Sequence, residues 1–262
     1  MTQQPFFDCH AHTADLSYCC DPGITPQTYA DALAAHPEVA GFVITNHGFA
    51  AYFPAEIAWK AEFMRRPELF TAFRQYGNAR LERHLATLAA VGEPRVLPGM
   101  EVEMMYDGRL TLDDKFRPRL AAVIGSVHFL PGVDPKVMSP QQVLDAWWDH
   151  TQSLAATGID ILAHPFRWIH KNGGVPVTME MVQALVELAR RNAVALEINA
   201  HFSIPGDVDL VRACAQAGVA VAFGTDSHSV SEIGRFEYHQ TVLREAGLPP
   251  GALTMWAPRR RS

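Results

Sequence analysis

Apolar residues along the chain fall into short continuous runs separated by longer stretches of helical periodicity. Seven runs, each rich in β-branched or aromatic residues, read as buried strands: Pro5–Cys9, Gly41–Thr45, Arg95–Met100, Ala121–Val127, Asp160–Ala163, Val194–Ile198 and Val219–Phe223. Between them the pattern predicts helices. Pro26–Ala35 follows Thr25, a good N-cap with proline at the first helical position. Ala55–Ala90 has room for two or three helices, and Ser139-Pro140 opens one that runs through Ala156. Thr178 caps Met179–Asn192, and Asp207 opens a helix that reaches Ala217 with Gly218 behind it as C-cap. The loop Met105–Arg119 interrupts the alternation and suggests a short hairpin insert. Continuous apolar strands alternating with helices predict an α/β fold, a parallel sheet covered by helices. No linker or composition shift divides the chain, so residues 1–262 are expected to form a single domain.

Composition changes this picture little. The chain is 48% hydrophobic and 19% charged, with a formal net charge of -6. That balance argues against a nucleic-acid surface, which needs a basic face. The one basic run, Arg259-Arg260-Arg261, reads as a solvated tail. No stretch approaches the roughly 18 consecutive apolar residues of a membrane span. The N-terminal MTQQPFFDCH lacks the regions of a signal peptide. Cys9, Cys19, Cys20 and Cys214 form no C-x-x-C pair, so a reduced, cytoplasmic protein is expected. Cys9 and Cys214 fit the core.

The chemistry lies at the strand ends. The first strand ends in His10 and His12, which lie on one face of an extended strand roughly 6.6 Å apart and suit one metal ion. The later strands end in Asn46-His47, Glu101-Val102-Glu103, Ser126-Val127-His128, Ala163-His164-Pro165, Glu197-Ile198-Asn199-Ala200-His201 and Thr225-Asp226-Ser227-His228. A single histidine after a strand is ordinarily structural. Seven strand ends that each deliver a histidine, an acid or both form a ligand set for Zn, Mn or Fe at a hydrolytic site. Barrel and open α/β enzymes place their chemistry at these carboxyl ends.

The ordered set resembles the PHP family, named for polymerase and histidinol phosphatase. The resemblance rests on Asp8-x-His10-x-His12, Ile44-Thr45-Asn46-His47, Gly99-x-Glu101, Ser126-x-His128, Ala163-His164-Pro165 and Gly224-Thr225-Asp226-Ser227-His228. It implies a distorted seven-stranded (βα)7 TIM-like barrel holding three divalent transition metal ions (Zn, Mn or Fe). It assigns His10, His12, Glu101 and Asp226 to one site. Glu101 would bridge to a second with His128 and His164. Asp21, His47 and His228 would make the third. Two acids, Asp15 and Asp21, compete for the loop ligand. In similar sequences an acid sits five residues before the proline that opens the first helix, as Asp21 does before Pro26, and Asp21 is preferred. Relatives commonly carry an aspartate where this chain has Asn46.

The expected reaction is hydrolysis of a small-molecule phosphate ester by a metal-bridging hydroxide, with Asp226, Arg167 and His201 as catalytic groups. Arg167 is the first candidate phosphate clamp and Arg235 the second. Asn199 and His201 would contact substrate, donate a proton or support the ligands. Glu103 would support them. His170 and Lys171 would lie in a glycine-rich loop over the pocket. His36, His84, His150 and His239 fall on helical patterns and read as solvated or capping. Specificity would reside in Ala50–Gly92, Met105–Arg119 and Trp168–Val177. Competing expectations are a histidinol-phosphate phosphatase, a 3'-5' exonuclease and a non-catalytic metal-binding module. An amide hydrolase would want a strand-end lysine, which is absent.

Overall fold

The computed structural model describes residues 6–37 and 39–258. Pro5 of the first expected strand and the Arg259-Arg260-Arg261 run lie outside the described residues. The chain folds as a closed parallel barrel of seven strands in sequence order. The strands are β1 (Phe6–Ala11), β2 (Val39–Ile44), β3 (Val96–Val102), β4 (Ala122–Gly125), β5 (Ile161–Leu162), β6 (Ala195–Asn199) and β7 (Val221–Gly224). Each falls on an expected apolar run. The helices are α1 (Pro26–Ala35), α2 (Gly48–Tyr52), α3 (Ala55–Ala58), α4 (Glu62–Arg65), α5 (Glu68–Val91), α6 (Pro140–Ala155), α7 (Arg167–Lys171), α8 (Met179–Asn192), α9 (Asp207–Ala217) and α10 (Glu237–Ala246).

Caps explain the helix boundaries that the sequence places correctly. Thr25 and Ser139 both make reciprocal capping boxes with proline at the helix start. Gly218 closes α9 at φ 67°, a left-handed conformation that a residue without a Cβ adopts freely. Two short helices depart from the sequence expectation. All of α2 is buried, so it shows no polar face. The α7 turn holds Arg167, His170 and Lys171 as helix, in place of the expected glycine-rich loop. The expected hairpin survives as one antiparallel bridge, Met104 to Leu110, before a 3-10 helix at Asp114–Arg119.

Alternate residues of each strand build the barrel interior in layers. The floor is a small apolar cluster containing Cys9, Val43, Ile124, Ile161, Ala195 and Ala222. Further along four of these strands the inward positions turn polar, at Thr45 and His47, Ser126 and His128, Glu197 and Asn199, and Asp226, whereas β5 continues apolar to Ala163. Floor and site are therefore successive layers of one packing scheme. Strand β1 departs from it. Cys9 sits in the floor, yet His10 also reaches the interior, and the pairing of β1 with β2 shifts register between Asp8 and Ala11. That irregularity lets consecutive residues share one face.

The barrel closes between β1 and β7, and the pairing continues past β7 in a parallel bridge between Ala11 and Ser227. Strand β1 meets β7 through a single register pair, Asp8 with Phe223. Around it the buried Asp8 accepts from Thr225 N at 3.0 Å, and Asp226 N donates to His10 O at 2.7 Å. Below, Val221 exchanges backbone bonds with Thr254 and Trp256 of the C-terminal segment.

Three histidines expected to be solvated or capping are buried. His84, His150 and His239 are 1%, 8% and 0% exposed, because the helical faces that carry them turn inward. Burial pushes His150 and His239 down to about 4. Each is neutral when folded but takes up a proton near pH 6.5 when unfolded, so its stabilising effect is full above that pH and is lost as pH falls towards 4. A shift of that size corresponds to roughly 3 kcal/mol per group. His150→Gln should therefore flatten the acid limb: its stability relative to wild type, from denaturant titration, should improve by about that amount between pH 7 and 4. A constant difference across this range would refute the assignment.

Candidate metal centre

Glu101, at the end of β3 and wholly buried, is the centre of the polar layer. Its two oxygens face different partners. Oε1 lies 3.1 Å from His164 Nε2 and 3.4 Å from His128 Nε2, and accepts from the Ser126 hydroxyl. Oε2 lies 2.7 Å from His47 Nδ1, 3.4 Å from His10 Nε2 and 3.7 Å from His12 Nε2. Asp226, from the turn after β7, approaches His12 Nε2 at 2.9 Å and His10 Nε2 at 3.4 Å. Burial disfavours ionisation of Glu101 and Asp226, but the surrounding imidazoles hold both carboxyls well below the usual range. His12 is pushed down to about 3 by burial and by His47 and His228.

Three of the rings are committed on their far sides. His10 Nδ1 pairs with Glu197 Oε1 at 2.8 Å and His128 Nδ1 with Glu103 Oε1 at 2.6 Å. His228 Nδ1 donates to Asp226 O at 2.7 Å. Each arrangement fixes the proton on Nδ1 and turns the Nε2 lone pair inward. Glu103 is pushed up to about 8 by burial and the Glu101 charge.

This donor set fits divalent metal ions. His10 Nε2 and His12 Nε2 stand 3.0 Å apart, both beside Asp226 and Glu101. His47 Nδ1 and Glu101 Oε2, though close, form no hydrogen bond, so they are not aimed at each other. Converging imidazole nitrogens and carboxylate oxygens are what a cation satisfies. Five groups of possible ligand atoms overlap through shared members: His10–His12–Glu101, His47–Glu101–His128, His12–His47–His228, His10–His164–Glu197 and, at the edge, Cys19–Cys20–His228. Eight of the nine expected ligands thus meet in one layer.

The ninth does not. Asp21 is exposed, and its backbone is what binds, its N–H to His228 O at 2.9 Å and its carbonyl to Ile24 N at 3.1 Å. Asp15 instead pairs with His84 Nδ1 at 2.7 Å. Among the described residues neither acid belongs to a group of metal-ligand spacing. Asn46 explains what Asp15 does. Its Oδ1 accepts from Thr13 N at 2.7 Å and its Nδ2 donates to Thr13 Oγ1 at 2.6 Å, whose hydroxyl donates to Asp15 Oδ1 at 2.6 Å. An aspartate at 46 would lose the donor and leave this chain of bonds unmatched. Asn46→Asp should cost about 1–3 kcal/mol in chemical denaturation, with metal content unchanged. Unaltered stability would refute the hydrogen-bond direction.

The remaining candidates separate. Arg167 stands at a cavity of about 300 Å³ over the cluster, its guanidinium carbon 3.9 Å from the Phe202 ring centre. His201 lines the same cavity, with Nδ1 3.0 Å from Glu232 Oε1. Arg235 is exposed and lines a neighbouring cleft beside His201. Asn199 is buried and donates to Glu197 Oε1 and Asp226 Oδ2, both at 3.2 Å, so it braces carboxylates. Glu197 lies in the sixth strand end but is given no role by the sequence; it pairs with His10 Nδ1 and accepts from His164 N. An acid inside an otherwise apolar strand, two residues before Asn199, is the available signal.

A closed parallel barrel with a buried His–carboxylate cluster at its carboxyl ends is an arrangement suited to metal-assisted hydrolysis. A probable phosphatase of Acetivibrio thermocellus is 26% identical over 249 residues, covering 92% of this chain and 87% of that protein. The probable phosphatase YcdX of Shigella dysenteriae is 30% identical over 173 residues, 63% of this chain and 65% of the relative. The DNA polymerase/3'-5' exonuclease PolX of Bacillus subtilis is 28% identical over 156 residues, 58% of this chain but 25% of that protein. No family model matches the chain. With the motif order and the barrel, these relatives support a phosphoesterase resembling the PHP family.

Proposed function

We propose that the whole chain works as one unit that hydrolyses a small phosphorylated molecule in the cytoplasm. The carrying observation is Glu101, which presents one oxygen to each of two ligand groups beneath a cavity with a cation at its rim. His10, His12, Glu101, Asp226, His128, His164, His47 and His228 would hold three Zn, Mn or Fe ions. Bound there, divalent ions screen phosphoryl charge and make water nucleophilic near neutral pH. The protein's own groups do the rest. Arg167 clamps the non-bridging oxygens, and its contact with Phe202 fixes the guanidinium before substrate arrives. His201, oriented by Glu232, protonates the leaving oxygen.

Phe49, Trp59 and Phe129 wall the cavity, which gives the organic part of the ester an apolar surface. Elemental analysis after chelator-free purification should find more than one transition metal per chain. A panel of phosphorylated metabolites and dinucleotides, assayed with Mn and Zn, should show monoester turnover. Absence of both metal and activity would remove the reading. Strongly salt-dependent DNA binding would favour the exonuclease alternative.

A further inference from the structure

The loop after β1 brings a thiol, not a carboxylate, to the outer edge of the cluster. The loop is pinned at several points: Tyr18 donates its hydroxyl to Phe53 O at 2.6 Å, Ala14 N donates to Ile24 O, and Asp21 N to His228 O. Held this way, Cys19 Sγ lies 3.6 Å from His47 Nε2 and lines the cavity with His47, His228 and Asp226. Ligand atoms of Cys19, Cys20 and His228 lie within 4.8 Å of one another, and His228 is shared with the His12–His47–His228 group. His47 is 4% exposed and spans both regions, with Nδ1 2.7 Å from Glu101 Oε2 on the inner side and Nε2 facing Cys19 on the outer side.

We propose that Cys19 is the loop ligand of the outer metal site, where with His47 and His228 it gives that site a soft thiolate donor. The inference rests on the proposed metal centre and concerns which atom completes it. A thiolate selects Zn²⁺ or Co²⁺ over the harder Mn²⁺ and Mg²⁺, so the outer site differs in metal preference from the oxygen-rich sites around Glu101 and Asp226. Binding releases the thiol proton to solvent. No redox step is involved.

Cobalt reports the bond directly, because a cobalt–thiolate contact adds a near-ultraviolet charge-transfer band that nitrogen and oxygen ligands do not give. The chelator-stripped full chain, titrated with Co²⁺, should show the band and a metal count by elemental analysis. Cys19→Ala should lose the band and one ion per chain, with affinity at that site down at least about 100-fold. Cys19→Asp should recover the ion without the band and shift the site's Zn-to-Mn preference towards Mn by about tenfold or more. Cys20→Ala and Asp21→Asn should keep band and count. A cobalt-loaded wild type without the band overturns the proposal and leaves the metal centre standing. So does loss of the band in Cys20→Ala alone, or loss of the ion in Asp21→Asn alone. No cobalt uptake at all overturns both.

Discussion

Glu101→Gln should lower kcat/KM by at least about 1000-fold, roughly 4 kcal/mol of lost transition-state stabilisation, while the barrel stays folded. The side chain keeps its shape, and an amide still accepts from Ser126. What disappears is the charge that serves both ligand groups, His128 and His164 on one oxygen and His10, His12 and His47 on the other. A neutral oxygen binds a divalent ion weakly, and an NH2 group cannot bind one at all. Metal content should fall with activity, and circular dichroism should not change. Activity within tenfold of wild type at full metal content would show that Glu101 is not shared between ions.

Gly224→Ala should also be damaging, although it replaces no proposed ligand. A Cβ at this position would lie 2.6 Å from His10 Cβ and closer still to Glu197 Oε1, so one of the two must move. Glu197 holds His10 through Nδ1 and also receives the backbone N–H of His164. Displacing it releases two histidines together. Stability should fall by about 1–3 kcal/mol, and metal affinity by about 10–100-fold. Calorimetry and competitive chelator titration would separate the two. Native affinity at reduced stability would show that Glu197 is only a packing group.

Most of the site is legible in the sequence for the same structural reason. Inward positions recur every second residue, so His47, Glu101, His128 and Asp226 follow apolar runs at fixed offsets, and their order survives in the sequence. His10 is legible as half of a pair but not through alternation, because the register shift in β1 breaks the period there. Glu197 lies inside a strand, where an acid reads as part of the run rather than as a partner of a ligand two strands away. The loop ligand has no period to follow. Its position depends on Tyr18, His228 and the turn at Ala14, all long-range contacts, and the spacing rule that favours Asp21 is blind to them. Burial of His84, His150 and His239 is hidden similarly, since an isolated helical pattern does not say which face the barrel covers.

The closure between the first and last strands would give bound ions a second task. His10 and His12 come from one end of the chain and Asp226 from the other, so an ion held among them ties residues 214 apart, from His12 to Asp226. Closing a loop that long restricts the unfolded chain by an amount worth on the order of 5 kcal/mol if the tie were permanent. Bound ions would thus be a removable rivet. With them seated, amide protons of β1 and β7 should exchange only through whole-molecule opening. Chelation should let the seam breathe first, well before the opposite wall of the barrel.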